Sequence, residues 1–409
     1  MKDDRELFLL WLSLKREADL ASRAALLRAF PSAEAIYEAK EADYRGIRGV
    51  SAKAARVLSD KDIGEAERIR ERCEKEQIRL LGYDDPAYPQ RLREIYAPPC
   101  MLYVKGSLPP LDERAAVAVI GTRKASEYGM RMARTIAYEI TRCGGLVVSG
   151  LTVGADSSAA EGALGAGKCI GVLGTPVEMA RSKLALKVAR CGALVSEYAP
   201  GTPPQKSFFR ERNRIAAGIS LGVVVVEAPE KSGTRFFVSD ALEQGKDVFS
   251  LPGNADSETS AGTLQFIKDG ARMVTHGWEV MEEYEPLFPG RVNSSIHETL
   301  RIDWKEPEKP KAKRSRRRPE DGQKTPAETP KKQQPEPEQI PAAAKRAEAM
   351  RNLSGAQATV AAAVGSGCSS TDEIVAETGL GAGQVLSQLT MLEIRGLIRR
   401  DPQLGIVLK

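Results

Sequence analysis

In AAVAVIGTRKASEYG, residues 115–129, an unbroken run of small and β-branched apolar side chains stops at a glycine and gives way to a polar turn and a helical segment. A strand that is apolar on both faces is one that must be covered on both faces, as in a parallel sheet flanked by helices. The unit recurs. GLVVSG (145–150), KCIGVLG (168–174), GALVSE (192–197), LGVVVVEA (221–228), DVFSLPG (247–253) and ARMVT (271–275) are further short apolar runs, and helical stretches separate nearly all of them. This alternation predicts an α/β domain over residues 113–288, a Rossmann-like, doubly wound and mostly parallel sheet. Such sheets bind their ligands outside the carboxyl ends of the strands, so the chemistry is sought in the turns that follow each run.

Those turns are rich in glycine, serine and threonine. After the first run, Gly121 permits a sharp turn, Thr122 and Ser126 offer hydroxyls to a phosphate or to the next helix as caps, and Arg123 places a charged fork beside a helix N-terminus. The second run ends at Ser149 and Gly150, in SGLTVGADSSAAEGAL (149–164); the third ends in LGTP (173–176). The fifth is followed by EKSGTRFF (230–237), carrying Ser232, Gly233, Thr234 and Arg235, and the sixth by LPGNADSETSAGT (251–263). Five such turns at one end of a sheet predict a rim of exposed N–H groups that suits phosphate. The spacing is not G-x-G-x-x-G, and no acidic residue closes the second strand, which disfavours a nicotinamide dinucleotide.

SFFRERNRIAAGIS, residues 207–220, loads Arg210, Arg212 and Arg214 together with Asn213 just ahead of an apolar strand. Arg212 and Arg214 are two residues apart, so a helix starting near Asn213 cannot turn both to one side. The expected division gives phosphate to Arg212 and an acidic partner such as Glu197, or a neighbouring turn, to Arg214. Phe208 or Phe209 is a candidate ring for stacking on a base, against the plainer role of core packing. Asp156 and Glu197 are the carboxylates nearest this rim and read as helix caps or arginine partners.

With 409 residues and 42% apolar side chains, the chain exceeds one core. Its net charge of +5 is too small to indicate a polyanionic partner without local clustering. The six cysteines form no C-x-x-C pair and read as reduced core residues of a cytosolic protein, with no metal site. Neither histidine, His276 or His297, lies on a glycine-rich turn, and H-E-x-x-H, G-x-S-x-G and Walker patterns are absent. The N-terminal apolar run is broken by charge too soon for a signal peptide or a membrane span.

Around the sheet, residues 1–75 show helical periodicity; YRGIRGVSAKAARVL (44–58) reads as a helix-hairpin-helix-like unit that offers N–H groups to phosphate or simply packs the domain. Residues 76–112 lead into the core. Residues 289–350 are rich in Pro, Lys, Arg, Glu and Gln and read as a disordered linker whose block KPKAKRSRRR (309–318) either holds nucleic acid or is a solvated tether. Residues 351–409 read as three helices and a hairpin turning at 401–403, the winged-helix plan, with 382–395 as the recognition helix. DNA reading and protein docking stand equal for it.

In order along the chain, DDPAYPQRLREIYAPPCMLYVKGSL (84–108), GTRKASEYG (121–129), SGLTVGAD (149–156), GALVSEYAPGTPPQKSFFRERNRIAAGIS (192–220), VEAPEKSGT (226–234) and VFSLPG (248–253) resemble the motifs of the bacterial DNA-processing protein A family, DprA or Smf. The resemblance implies a cytoplasmic, usually dimeric protein without catalytic activity or cofactor. It implies binding of single-stranded DNA, which is protected and handed to the RecA recombinase during natural transformation. An N-terminal helical domain, of SAM or helix-hairpin-helix type, and a C-terminal winged helix are common additions. The family's Ser-Gly-Ser-Leu-Ile-Thr has become Ser232, Gly233, Thr234, Arg235, Phe236 and Phe237 here, so the rim loses some polar partners and gains Arg235. From the residues alone, two rivals remain: a protein that holds or cleaves a small nucleotide derivative, and a regulator that reads duplex DNA through the winged helix.

Overall fold

All seven apolar runs are strands of one sheet, and two further strands extend it. The computed structural model describes residues 2–299 and 355–381, together with 384–385, 388–389, 392, 397–401 and 405–408. It divides into two units, Met1–Pro307 and Glu308–Lys409.

In the first unit the strands are β1 (Arg79–Gly82), β2 (Met101–Gly106), β3 (Ala116–Ile120), β4 (Leu146–Ser149), β5 (Cys169–Leu173), β6 (Ala193–Ser196), β7 (Gly222–Val225), β8 (Asp247–Ser250) and β9 (Arg272–Met273). Their order across the sheet is β1-β2-β6-β5-β4-β3-β7-β8-β9, with β3 to β9 parallel throughout and β1 and β2 antiparallel at one edge. The two edge strands lie in 76–112, which the sequence marks only as a lead-in. They lack the strand–helix repeat that betrays the others, and β1 is four residues long.

Successive residues of β3 show why the runs are apolar throughout. Val117 and Val119 enter one core with Ile136, Ala137 and Val147, while Ala116, Ala118 and Ile120 enter another with Ile215, Val223 and Phe237. Side chains alternate across a strand, and both faces of this sheet are covered by helices, so neither set can be polar. On the first face lie the helices Glu127–Arg142, Ala155–Ala166 and Lys183–Cys191; on the second lie Asn213–Ile219, Thr234–Glu243 and Ala261–Lys268.

The N-terminal segment forms six helices, from Lys2–Leu14 to Gly64–Lys75. Asp19, Ser32 and Ser51 each cap a helix by accepting the N–H three residues on. Trp11 and Leu10 are buried in the same core as the first sheet face. In the 44–58 stretch Gly49 has φ +97°, a left-handed turn that glycine adopts without penalty, and Ala54 and Ala55 behind it are fully buried. No helix among the described residues is long and apolar enough to cross a membrane.

The second unit has helices Ala356–Gly365 and Thr371–Thr378 and an antiparallel hairpin of Ile398–Asp401 with Gly405–Leu408. Ser370 and Glu373 form a reciprocal capping box at the second helix. Val360, Val364, Ile374, Leu389 and Leu392 make a separate small core. Most of the expected recognition helix, 382–395, lies outside the described residues, as do residues 300–350 of the expected linker, 289–350; its first residues instead belong to the first unit, with Val292 buried in the core and Ser294–Thr299 in a 3-10 turn.

Candidate nucleic-acid interface

The chain leaves β3 in one direction to build β4, β5 and β6 and returns on its other side to build β7, so β3 is the point where strand order reverses. Helices diverge above such a point and leave a crevice at the strand ends. A cavity of about 490 Å³ opens there, walled by Gly121–Arg123 after β3, Thr152 and Asp156 after β4, Ser232–Thr234 after β7, and Phe209, Arg210, Arg212 and Asn213 on the connection from β6 to β7. Of the five turns singled out in the sequence, three reach it. The turn after β5 instead backs a wall: a Cβ on Gly174 would sit 3.1 Å from Phe209 Cα, tighter than an ordinary contact, so glycine eases the close approach of that helix. The turn after β8 braces the end of β7, since Thr259 donates from its hydroxyl to Glu227 at 3.0 Å, and Glu227 in turn holds the loop after β3.

Glu227 is the residue that sequence reading passed over. It follows strand β7, is buried, accepts from the Ser126 N–H at 2.8 Å and the Ser126 hydroxyl at 2.6 Å, and its carbonyl takes the Thr122 N–H at 2.8 Å. A carboxylate ending an otherwise apolar run, VVVVEA, was the available signal. Ser126 is thereby committed to Glu227 and to capping Glu127–Arg142. The Thr122 hydroxyl accepts the Lys124 N–H at 3.2 Å, which shapes the turn around Arg123.

The three arginines of 207–220 go to three different places. Arg212 is only 5% exposed, and its guanidinium lies over Gly150, where a Cβ would be 2.1 Å from Nη1. Gly150 is therefore the seat of Arg212. Asp156 stands beside it, accepting from the Thr152 hydroxyl at 2.8 Å and, more weakly, from the Gly121 N–H at 3.4 Å. Burial pushes the Asp156 carboxyl above the ordinary aspartate range, and Arg212, Thr152 and Gly121 pull it back. The Arg212 Nε is fully buried and has no hydrogen-bond partner among the described residues, and the residue forms part of the cavity wall. Arg214 turns away: it ion-pairs with Glu197 and donates to the Ala97 carbonyl at 2.5 Å. Arg210 is exposed and pairs with Asp240.

Ser149 is spent internally, donating to the Asp156 carbonyl at 2.8 Å and accepting the Leu151 N–H at 3.1 Å. Ser232 lies on the cavity and accepts the Thr234 N–H at 3.2 Å, while Gly233 beside it has open space where a Cβ would be. Arg235 is exposed, reaches back to the Glu230 carbonyl at 3.3 Å, and does not line the cavity. Lys206 and Lys231, which the sequence reading did not select, do line it. Arg123, Lys206 and Lys231 are exposed, so the mouth is cationic and the floor holds one arginine–aspartate couple.

The family model described as DNA recombination-mediator protein A matches residues 79–285, and the one described as DprA winged helix domain matches residues 330–403. The chain is 35% identical over 211 residues to DNA processing protein DprA of Bacillus subtilis (strain 168), covering 50% of this chain and 71% of that one. It is 37% identical over 206 residues to DNA processing protein DprA of Streptococcus pneumoniae (strain ATCC BAA-255 / R6), covering 49% and 72%. The X-ray structure of DNA processing protein A from Streptococcus pneumoniae superposes on 68% of this chain and 97% of its own, at 30% identity and a TM-score of 0.59.

Proposed function

The chain belongs to the DNA recombination-mediator protein A family, and we propose that it is a non-catalytic, cytoplasmic protein that grips single-stranded DNA in the crevice above β3 and hands it to the RecA recombinase during DNA uptake. The observation that carries this reading is the cavity itself: exposed Arg123, Lys206 and Lys231 at its mouth, and the buried Arg212 guanidinium in its floor. Cations spread along a crevice neutralise successive phosphates, and a flexible single strand can follow them where a stiff duplex cannot. A homodimer would set two such crevices on one strand.

The deciding experiment titrates the purified chain with an unstructured oligonucleotide, its duplex and a panel of mononucleotides over a range of salt. Tightest binding to the single strand is expected, with log affinity falling by about 0.7 per neutralised phosphate for each unit of log salt. A stoichiometric mononucleotide complex, or turnover of one, would replace this reading with the nucleotide-derivative one. Removing residues 346–409 should leave single-strand affinity unchanged; loss of a duplex preference would instead assign DNA reading to the winged helix. For the partner, RecA is expected to co-elute with the chain–oligonucleotide complex, and light scattering reads the oligomeric state.

Gly150→Ala tests the seat of Arg212 separately. The added methyl displaces the guanidinium, so affinity is expected to fall roughly tenfold, the value of one charge-assisted hydrogen bond. The same methyl would stand 2.6 Å from the Asp156 Oδ2, so thermal melting should also come somewhat earlier, as in Arg212→Ala.

A further inference from the structure

Two double-phenylalanine sequences meet at the cavity, Phe208–Phe209 and Phe236–Phe237, and each divides its rings in the same way. Phe208 is fully buried, stacked on Tyr198 with ring centroids 4.0 Å apart, and Phe237 is buried in the core of the second sheet face. Phe209 and Phe236, the less buried ring of each pair, line the cavity, and Phe237 contributes to its wall as well. Phe209 and Phe236 each carry an arginine: the Arg123 guanidinium is 5.6 Å from the centroid of Phe209, and that of Arg210 is 5.0 Å from the centroid of Phe236.

Phosphate recognition accounts for the cations and leaves Phe236 unexplained. It lies in the first turn of Thr234–Glu243 and is 57% exposed, although the core-facing position beside it is taken by Phe237. Arg210 at its ring is itself held by Asp240, one turn further along the same helix, so ring and guanidinium are fixed against one another. A ring held in this way and left open to a cationic cavity matches the face of a nucleobase, and a cavity of about 490 Å³ has room for far more than a phosphate group.

We propose that Phe236, braced by Arg210 and Asp240, is a stacking platform for a nucleobase, so that the cavity takes a nucleoside unit of the strand and not its phosphates alone. This rests on the single-strand reading above. Stacking on an aromatic platform is tolerant of sequence, because every base has a π face.

The test compares an oligothymidylate with an abasic phosphodiester oligomer of the same length at constant salt, using the full chain and its Phe236→Ala and Phe236→Trp variants. The unaltered chain is expected to bind the base-bearing oligomer about tenfold or more tighter, in line with one stacked base. Phe236→Ala should lose most of that margin while its affinity for the abasic oligomer and its salt slope stay unchanged, and Phe236→Trp should keep the margin. The ring is exposed, so neither variant should alter thermal stability. Equal affinity of the unaltered chain for both oligomers, or an equal loss on both in Phe236→Ala, overturns the platform while leaving the single-strand reading standing. Failure of the unaltered chain to bind either oligomer overturns both.

Discussion

An Arg123→Ala/Arg212→Ala double variant is expected to bind an unstructured oligonucleotide at least about a hundredfold more weakly, since each charge-assisted contact contributes roughly 1.5–3 kcal/mol. Its log–log salt slope should shrink by about 1.4, the counterions of two phosphates on a single strand. The two residues act from different depths. Arg123 is exposed at the mouth, so its loss alone should reduce affinity with little effect on melting. Arg212 is buried beside Asp156, and its removal leaves that carboxylate without an opposing charge. Without that nearby charge the buried carboxyl is more inclined to hold a proton, so the variant should also melt earlier and recover part of its stability as pH falls. Unchanged affinity in the double variant would remove the cavity as the DNA site.

Glu197→Ala is expected to destabilise the fold by about 3–5 kcal/mol in urea unfolding without changing the salt slope of DNA binding. The Glu197 and Arg214 side chains are 6% and 12% exposed and ion-paired, and Arg214 also holds the Ala97 carbonyl. Removing Glu197 strands a guanidinium in the interior, and Arg214→Ala strands the carboxylate, so the two single variants should be comparably damaged. If Arg214→Ala instead reduced the salt slope as Arg212→Ala should, Arg214 would be a phosphate ligand after all. The contrast between two arginines separated by one asparagine is the sharpest check on the geometry of this connection.

Much of the site was legible from residue types at strand ends. Gly121, Thr122, Arg123, Ser232, Gly233, Thr234, Arg210, Arg212 and Asn213 were all picked from the sequence and all line one cavity. Ser149, Gly150, Arg214 and Arg235 do not line it, each for a local reason. Ser149 is consumed by the turn that follows it, Gly150 lies beneath Arg212, Arg214 is turned to Glu197, and Arg235 reaches back to its own loop. Glu227 was missed because a carboxylate at the end of an apolar run looks like a boundary, whereas its bonds to Ser126 and Thr259 come from segments 101 and 32 residues away.

The sequence by itself determined the parallel sheet, because most of its seven runs are apolar on both faces and alternate with helices that can cover them, and it determined which turns carry anion-binding residues. Only the tertiary structure decided which of those residues share a cavity. Strand order placed the turns after β3, β4 and β7 side by side and sent those after β5 and β8 behind them. The physical reason is that periodicity and turn chemistry are local, whereas strand order, the burial of Arg212 over Gly150 and which ring of each phenylalanine pair is the more exposed depend on contacts between segments far apart in the chain.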